Sequence, residues 1–445
     1  MRFSDAAAEL TARRVMGGGM TGSTCSGGVP WSGLMVFLPM VAGCILAGVT
    51  RPRQGRSVRG TGSLTRARGR DSIGADDGLR GKERVVKFGL LYELEYAKPW
   101  YEGWEARIFH QALEQIAFAD QKGFDYVWVV EHHFLTEYSH SSAPEVFLGA
   151  VSQRTERIRI GHGVVLLPPA YNNPIRVAER IATLDILSNG RVEFGTGRSG
   201  TPAELEGFGI SPAETKAMWD EAVRIIPRMW MEDPFCYQGR YFSMPPRSIW
   251  PKPVQKPHPP MWVAAATPRT FIEAGERGLG VLCFIIGQPA ELPSRIQPYR
   301  EAIKRAQPVG AFVNEQVAGF TVTLCLDDDA EAQRVGGPAA LWYTAMLSSL
   351  LGEWRGKQIP GYEYYGELTR AAREQSTAHM TSLIENGTFC IGSPETCIRI
   401  IEKYRQAGVD QLICFMQAAR IPHEKILRSI ELFGDRVIPY FKREI

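Results

Sequence analysis

Glu131-His132-His133-Phe134 closes the hydrophobic run Phe124–Val130. That run, rich in Val with Tyr and Trp, reads as a buried strand. A carboxylate and two imidazoles at the end of such a strand are costly to place unless something uses them. An imidazole titrates near about 6.5, so it exchanges protons at neutral pH. Glu131, His132 and His133 are therefore acid–base candidates, the competing reading being a hydrogen-bonded cluster that only bridges strand ends. A second set is Gly195-Thr196-Gly197-Arg198. Small residues such as Gly197 let a ligand approach the backbone, and the Arg198 guanidinium can grip a phosphate bidentately or stay an exposed loop charge. A third is Ala265-Ala266-Thr267 before Pro268, where a strand pattern gives way to a helix. Helix N-termini offer free N–H groups to phosphates, and Thr267 is equally suited to cap the helix.

These residues need a scaffold that brings strand ends together. Strand patterns at 87–94, 124–130, 158–167, 191–196, 261–265, 281–286, 317–326 and 411–416 alternate with helical patterns at 105–122, 144–154, 174–187, 214–231, 268–277, 290–305, 330–351 and 423–433. Eight strand–helix repeats predict an α/β fold, a (β/α)8 TIM barrel, with active-site residues at the carboxyl ends of the strands. A doubly wound sheet, or a six-stranded sheet with a cap, is the rival. No G-x-G-x-x-G follows the first strand, which counts against a dinucleotide-binding sheet. Two stretches exceed ordinary connector length, 235–260 with a hairpin near Tyr237–Tyr241, and 351–392. Both are insertions that either shape the barrel mouth or decorate the periphery.

The composition is that of a soluble globular enzyme, with 44% hydrophobic and 22% charged residues in 445. The net charge of +3 is unevenly spread: residues 1–84 hold 12 Arg and one Lys against six acidic residues, leaving the remainder mildly acidic. Nothing in that balance points to nucleic acid. Residues 1–85 are Gly-, Ser- and Arg-rich and carry the apolar stretch 31–49. They are expected to be a disordered leader or mis-assigned extension ahead of a domain at 86–445, a membrane anchor or export signal being the alternative. The eight cysteines show no C-x-x-C pair or zinc spacing and read as reduced core residues of a cytoplasmic protein. Asp327-Asp328-Asp329 reads as a solvated helix start rather than a metal site.

Three ordered elements carry a family resemblance: Glu131–Phe134, Pro174–Glu179 and Leu184–Arg198, the last containing D-x-L-S-x-G-R followed by G-x-G-R. Together with 391–395 and 404–412 they resemble the bacterial luciferase-like flavin-dependent monooxygenases over about 86–440. The resemblance implies a barrel, reduced FMN delivered by a separate NAD(P)H-dependent flavin reductase, O2 as co-substrate and a small organic, apolar substrate, in a homodimer. It implies that His132 is the catalytic histidine, with Glu131 and His133 in support. It implies that Arg198 holds the FMN phosphate with Gly197 beside the ring, and that backbone groups at Ala265, Ala266 and Thr267 assist. Luciferases carry an acidic residue and serines at Ala265, Ala266 and Pro268, so hydroxyl contacts there are in doubt. A non-proline cis peptide under the flavin is implied at Gly163–Val164. Asn173, at a luciferase histidine position, either donates to the flavin or makes the turn before Pro174. Two rival readings stay open, a deazaflavin-dependent dehydrogenase on the same barrel and a catalytically silent flavin-binding subunit.

Overall fold

The computed structural model describes residues 86–442, apart from positions 285, 358, 367–368 and 371–378. The leader expected at 1–85 lies outside the described residues. Strands follow in chain order as β1 (Lys87–Tyr92), β2 (Tyr126–Val129), β3 (Arg159–His162), β4 (Val165–Leu166) and β5 (Val192–Gly197). Then come β6 (Phe235–Gln238), β7 (Ser243–Arg247), β8 (Met261–Ala264), β9 (Gly280–Cys283), β10 (Val317–Cys325), β11 (Cys390–Gly392) and β12 (Gln411–Phe415). Eight of them, in the order β1-β2-β3-β5-β8-β9-β10-β12, are parallel neighbours. The ring closes where Val317 stands opposite Val281 and Phe88 opposite Leu412. This is the predicted (β/α)8 barrel.

The helices among the described residues include α1 (Trp104–Lys122), α2 (Pro144–Ser152), α3 (Pro174–Leu187), α4 (Pro202–Gly207), α5 (Thr215–Met231), α6 (Pro268–Glu276), α7 (Pro293–Ile303), α8 (Asp329–Gly352), α9 (Met380–Glu385), α10 (Pro394–Gln406) and α11 (His423–Leu432). Several start on one local rule. Asn173, Thr201, Thr267 and Ser393 each accept an N–H from the first turn of a helix whose next residue is proline. Proline has no N–H to lose there, and the cap satisfies a donor the helix itself leaves over.

The barrel interior is packed, and two indoles fill much of it. Trp128 and Trp262 meet edge to face at 5.3 Å. A Cβ on Gly161 would stand 2.3 Å from Trp128, and one on Gly280 2.6 Å from Trp262. Glycine stands at both positions because the neighbouring indoles occupy the space a side chain would need.

The structure divides one predicted element and adds others. The single strand expected over 158–167 is split into β3 and β4 around a cis Gly163–Val164 peptide. The short α4, β11 and the longer α10 have no counterpart in the expected pattern; β11 pairs with the outer end of β10, with Thr323 opposite Cys390. The 235–260 insertion holds the expected hairpin, but it lies along α5, where Glu221 accepts the backbone N–H groups of Arg240, Tyr241 and Phe242. It is peripheral rather than part of the mouth. The second insertion does reach the mouth, through Trp354, Tyr362 and Tyr365.

Candidate active site

The carboxyl end of β2 carries the Glu131–Phe134 element, and the four residues face different tasks. Glu131 is buried, and its Oε2 accepts the Leu166 N–H at 2.8 Å. Its Oε1 accepts from Asn172 Nδ2 at 2.8 Å and faces His133 Nε2 at 3.3 Å. One carboxylate thus fixes β4 and the turn ahead of α3. His133 stacks on Tyr171 and meets Phe208 edge-on at 4.9 Å. Phe134 adopts φ 64° and packs on Gly207, where a Cβ would stand 2.3 Å from its ring.

His132 is the member whose carboxylate partner comes from another element. Its Nδ1 lies 3.0 Å from Glu204 Oε1 on α4. Glu204 is fully buried and also accepts the His133 N–H at 3.0 Å, Ser199 Oγ at 2.8 Å and Thr201 Oγ1 at 2.6 Å. Four donors converge on one carboxylate, so its charge is compensated and its orientation leaves little freedom. Burial pushes the His132 imidazole towards the neutral form, but the Glu204 charge and hydrogen bond, with Glu93 and Glu131 behind, outweigh it and raise its proton affinity. Burial opposes ionisation of Glu204 too, and His132, Thr201 and the His133 N–H overcome it, holding that carboxyl below the usual range. A carboxylate at Nδ1 assigns the proton to that nitrogen and leaves Nε2 to work.

Arg198 follows β5. Its Nη1 donates to Thr215 Oγ1 at 2.9 Å, its Nη2 to the Gly361 carbonyl at 2.5 Å, and the guanidinium lies 4.4 Å over the Tyr362 ring. Among the described residues it has no carboxylate partner, so a half-buried cation with spare donors stands at a strand end. Trp354 Nε1 donates to the Gly200 carbonyl at 2.7 Å and Tyr362 Oη to the Ser199 carbonyl at 3.2 Å. The second insertion therefore clamps the loop that joins Arg198 to Glu204. Neighbouring β8 brings the third set alongside, with Thr196 opposite Val263.

The last set is less available than its sequence suggests. Ala265 N–H is spent on the Leu282 carbonyl at 3.0 Å. Thr267 N–H donates to Thr270 Oγ1 at 3.0 Å, and Thr267 Oγ1 accepts from Thr270 N at 3.1 Å, a reciprocal capping box. Of the three, Ala266 alone keeps its N–H without a partner among the described residues. Asn173 is exposed and its Oδ1 accepts from Ile175 N at 3.0 Å, so its side chain caps α3. Gly195 and Gly197 answer first to the β3–β4 turn: an added Cβ would stand 1.9 Å from the His162 carbonyl oxygen or 2.4 Å from Val164 Cγ2. Val164, beside the cis peptide, is buried between that turn and β5.

A family model described as luciferase-like monooxygenase matches residues 99–411. The chain belongs to the luciferase-like monooxygenases. It is 28% identical to a flavin-dependent trigonelline monooxygenase, oxygenase component, from Acinetobacter baylyi, over 80% of this chain and 96% of that protein. Among solved structures it is similar to the monooxygenase RslO1 from Streptomyces bottropensis, with a TM-score of 0.67, 26% identity and coverage of 80% of this chain and all of the other. It also shares its fold with a secondary alcohol dehydrogenase dependent on coenzyme F420, with a TM-score of 0.60, 21% identity and coverage of 79% of this chain and 98% of the other.

In this luciferase-like monooxygenase the residue that sequence reading passed over is Glu204. Thr201-Pro202-Ala203-Glu204 has the form of a common helix-start box, in which the acid reaches back to the cap. Here it turns to His132, seventy-two positions away. Asn172, neighbour of the candidate Asn173, was also passed over; it is the one that holds Glu131. Glu93 and Tyr343, joined at 2.9 Å beneath the same mouth, gave no local signal at all.

Proposed function

We propose that this protein is the oxygenase component of a two-component flavin monooxygenase. It uses reduced FMN from a separate NAD(P)H-dependent reductase, and O2, to oxygenate a small organic, largely apolar substrate. The observation that carries this reading is the His132–Glu204 pair at the carboxyl end of β2, with Arg198, which has no carboxylate partner among the described residues, at the end of β5. Bound reduced FMN would supply the electrons by which one oxygen atom of O2 enters the substrate and the other leaves as water. Arg198 fits the flavin phosphate, as a cation with spare donors and, among the described residues, no carboxylate competing for them. Ala266 N–H supplies one further donor, with Thr267 keeping the helix end in place for it. Val164 and Gly197 form the close-packed wall against which a flat ring would rest.

His132 moves the proton. Glu204 keeps Nδ1 protonated, so Nε2 gives or takes a proton at the reacting oxygen. Glu131 keeps the β4 turn and Asn172 in place, and His133 backs the wall formed by Tyr171 and Phe208. The trigonelline relative, named as an oxygenase component, supports a partner reductase; a homodimer in the cytoplasm completes the proposal. No helix among the described residues is long and apolar enough to cross a membrane.

The likeness to a coenzyme F420-dependent dehydrogenase favours a second reading, hydride transfer with a deazaflavin and no O2. One experiment separates them. The protein is incubated with FMN, a flavin reductase, NADH and a panel of aldehydes, cyclic ketones, terpenes and N-heteroaromatics under ¹⁸O2, and products are weighed by mass spectrometry. A product heavier by one ¹⁸O atom, lost in His132→Ala, is expected. In a parallel incubation with oxidised coenzyme F420 and a panel of secondary alcohols, turnover of an alcohol with reduction of the coenzyme, beside no ¹⁸O uptake in the first incubation, would replace the oxygenase reading.

A further inference from the structure

Beyond β1 the chain runs through Glu93-Leu94-Glu95 under the barrel mouth. Successive strand residues alternate sides, so Gly89, Leu91 and Glu93 share one. Gly89 faces Trp128 and Leu91 faces Gly163, which places that side towards the barrel axis. Glu93 is 3% exposed. Its Oε1 accepts from Tyr343 Oη of α8 at 2.9 Å, and Tyr343 Oη lies 2.9 Å from Tyr138 Oη. The Tyr138 ring stands edge-on to His132 at 5.7 Å. Glu93 Oε2 has no partner among the described residues. A buried carboxyl with one oxygen unmatched is expensive as an anion and cheap as an acid, and it needs a reason to be there.

We propose that Glu93 is a positioning residue that acts through His132, its carboxyl, held by Tyr343 and Tyr138, deciding whether that imidazole carries a proton. The proposal rests on His132 being the acid–base group of the reaction, but it is about charge and is read without turnover. Every titratable group around the pair enters the balance. Glu204 from α4 and Glu131 from the same turn face His132. His132, Glu204, Tyr343 and Tyr138 face Glu93, and Glu95, two residues on, feels the Glu93 charge and has its own Oε1 held by Ala419 N–H. Burial pushes the Glu93 carboxyl up to about 7, His132 pulls it down, and Glu204 pushes it up. Two titratable groups that feel each other's charge take up protons in steps that belong to the pair.

The measurement is a ¹⁵N-histidine NMR titration of the full chain from pH 5 to 9, with the His132 signals assigned by their loss in His132→Gln. In the wild type a two-step curve is expected. In Glu93→Gln a single step is expected, with a midpoint lower by about one pH unit or more, a tenfold fall in the protonated fraction at a given pH. Glu95→Gln should leave the His132 midpoint within about 0.3 of the wild type, since Glu95 does not act on His132 directly. Tyr343→Phe keeps the ring and removes the donor, so Glu93 takes a proton more readily and the His132 midpoint falls by a smaller amount. It carries the test if Glu93→Gln does not fold. A His132 midpoint unmoved in the folded variants would overturn the proposal, whether or not the protein oxygenates anything. A purely structural role for Glu93 would change stability and leave that midpoint where it was.

Discussion

Replacing Glu204 separates charge from hydrogen bonding in this site. The carboxylate receives four donors, and one of them is the charged or neutral His132 ring. In Glu204→Ala the His133 N–H and His132 Nδ1 lose their acceptor, while Ser199 and Thr201 can turn their hydroxyls elsewhere. Removing one partner of a buried ion pair costs about 3–5 kcal/mol, so this variant should lose about 4 kcal/mol. Glu204→Gln is gentler. Its one oxygen can serve His132 and His133, and its NH2 can face the two hydroxyls, which accept as well as donate. What it loses is the charge, worth about 1–2 kcal/mol as the difference between charged and neutral hydrogen bonds. The wild type holds the Glu204 carboxyl below its ordinary 4.5. Its advantage over Glu204→Gln is therefore fully present above that pH and fades as pH falls through the lowered folded-state value. Urea unfolding from pH 3 to 8 measures this, and the His132 midpoint should fall by about 1–3 pH units when the carboxylate charge goes. Glu204→Ala within about 1 kcal/mol of the wild type would refute the four-donor account.

Arg198→Ala should weaken FMN binding at least tenfold by flavin titration, about 1.4 kcal/mol or more, with the melting temperature little changed; unaltered affinity removes Arg198 from the phosphate site. The Glu93 carboxyl, raised from 4.5 to about 7, contributes stability that is full below pH 4.5 and is lost as pH rises through 7. That rise corresponds to about 3 kcal/mol, so Glu93→Gln should gain on the wild type by up to that amount between pH 5 and 8; equal slopes against pH in urea unfolding would contradict it. Gly195→Ala should cost about 3 kcal/mol or more, because its Cβ would stand 1.9 Å from the His162 carbonyl oxygen; a soluble variant with wild-type thermal unfolding would show that the β3–β4 turn yields.

Much of this protein was legible in its residue order. The eight strand–helix units, the helix starts at Asn173-Pro174 and Thr267-Pro268, and the placing of Glu131–Phe134 at a strand end all follow from local periodicity and capping, which act over a few residues. The peptide at Gly163–Val164 was implied by the family resemblance, not by local pattern, and it is cis. The roles of individual atoms were not legible. Thr267 and Ala265 look like free phosphate donors until Thr270 and Leu282 are seen to have taken their N–H groups. The glycines of Gly195-Thr196-Gly197 look like room for a ligand until His162 and Val164 are seen to occupy it. Glu204 reads as part of a helix cap until the barrel brings α4 over β2, and Glu93 reads as a strand end until α8 lays Tyr343 against it. Sequence by itself determined which elements form and where the acid–base residues fall along them. Only the tertiary structure decided that Glu204 meets the His132 imidazole and Glu93 the Tyr343 hydroxyl, because those pairings span 72 and 250 positions and depend on how the closed barrel brings its strand ends together.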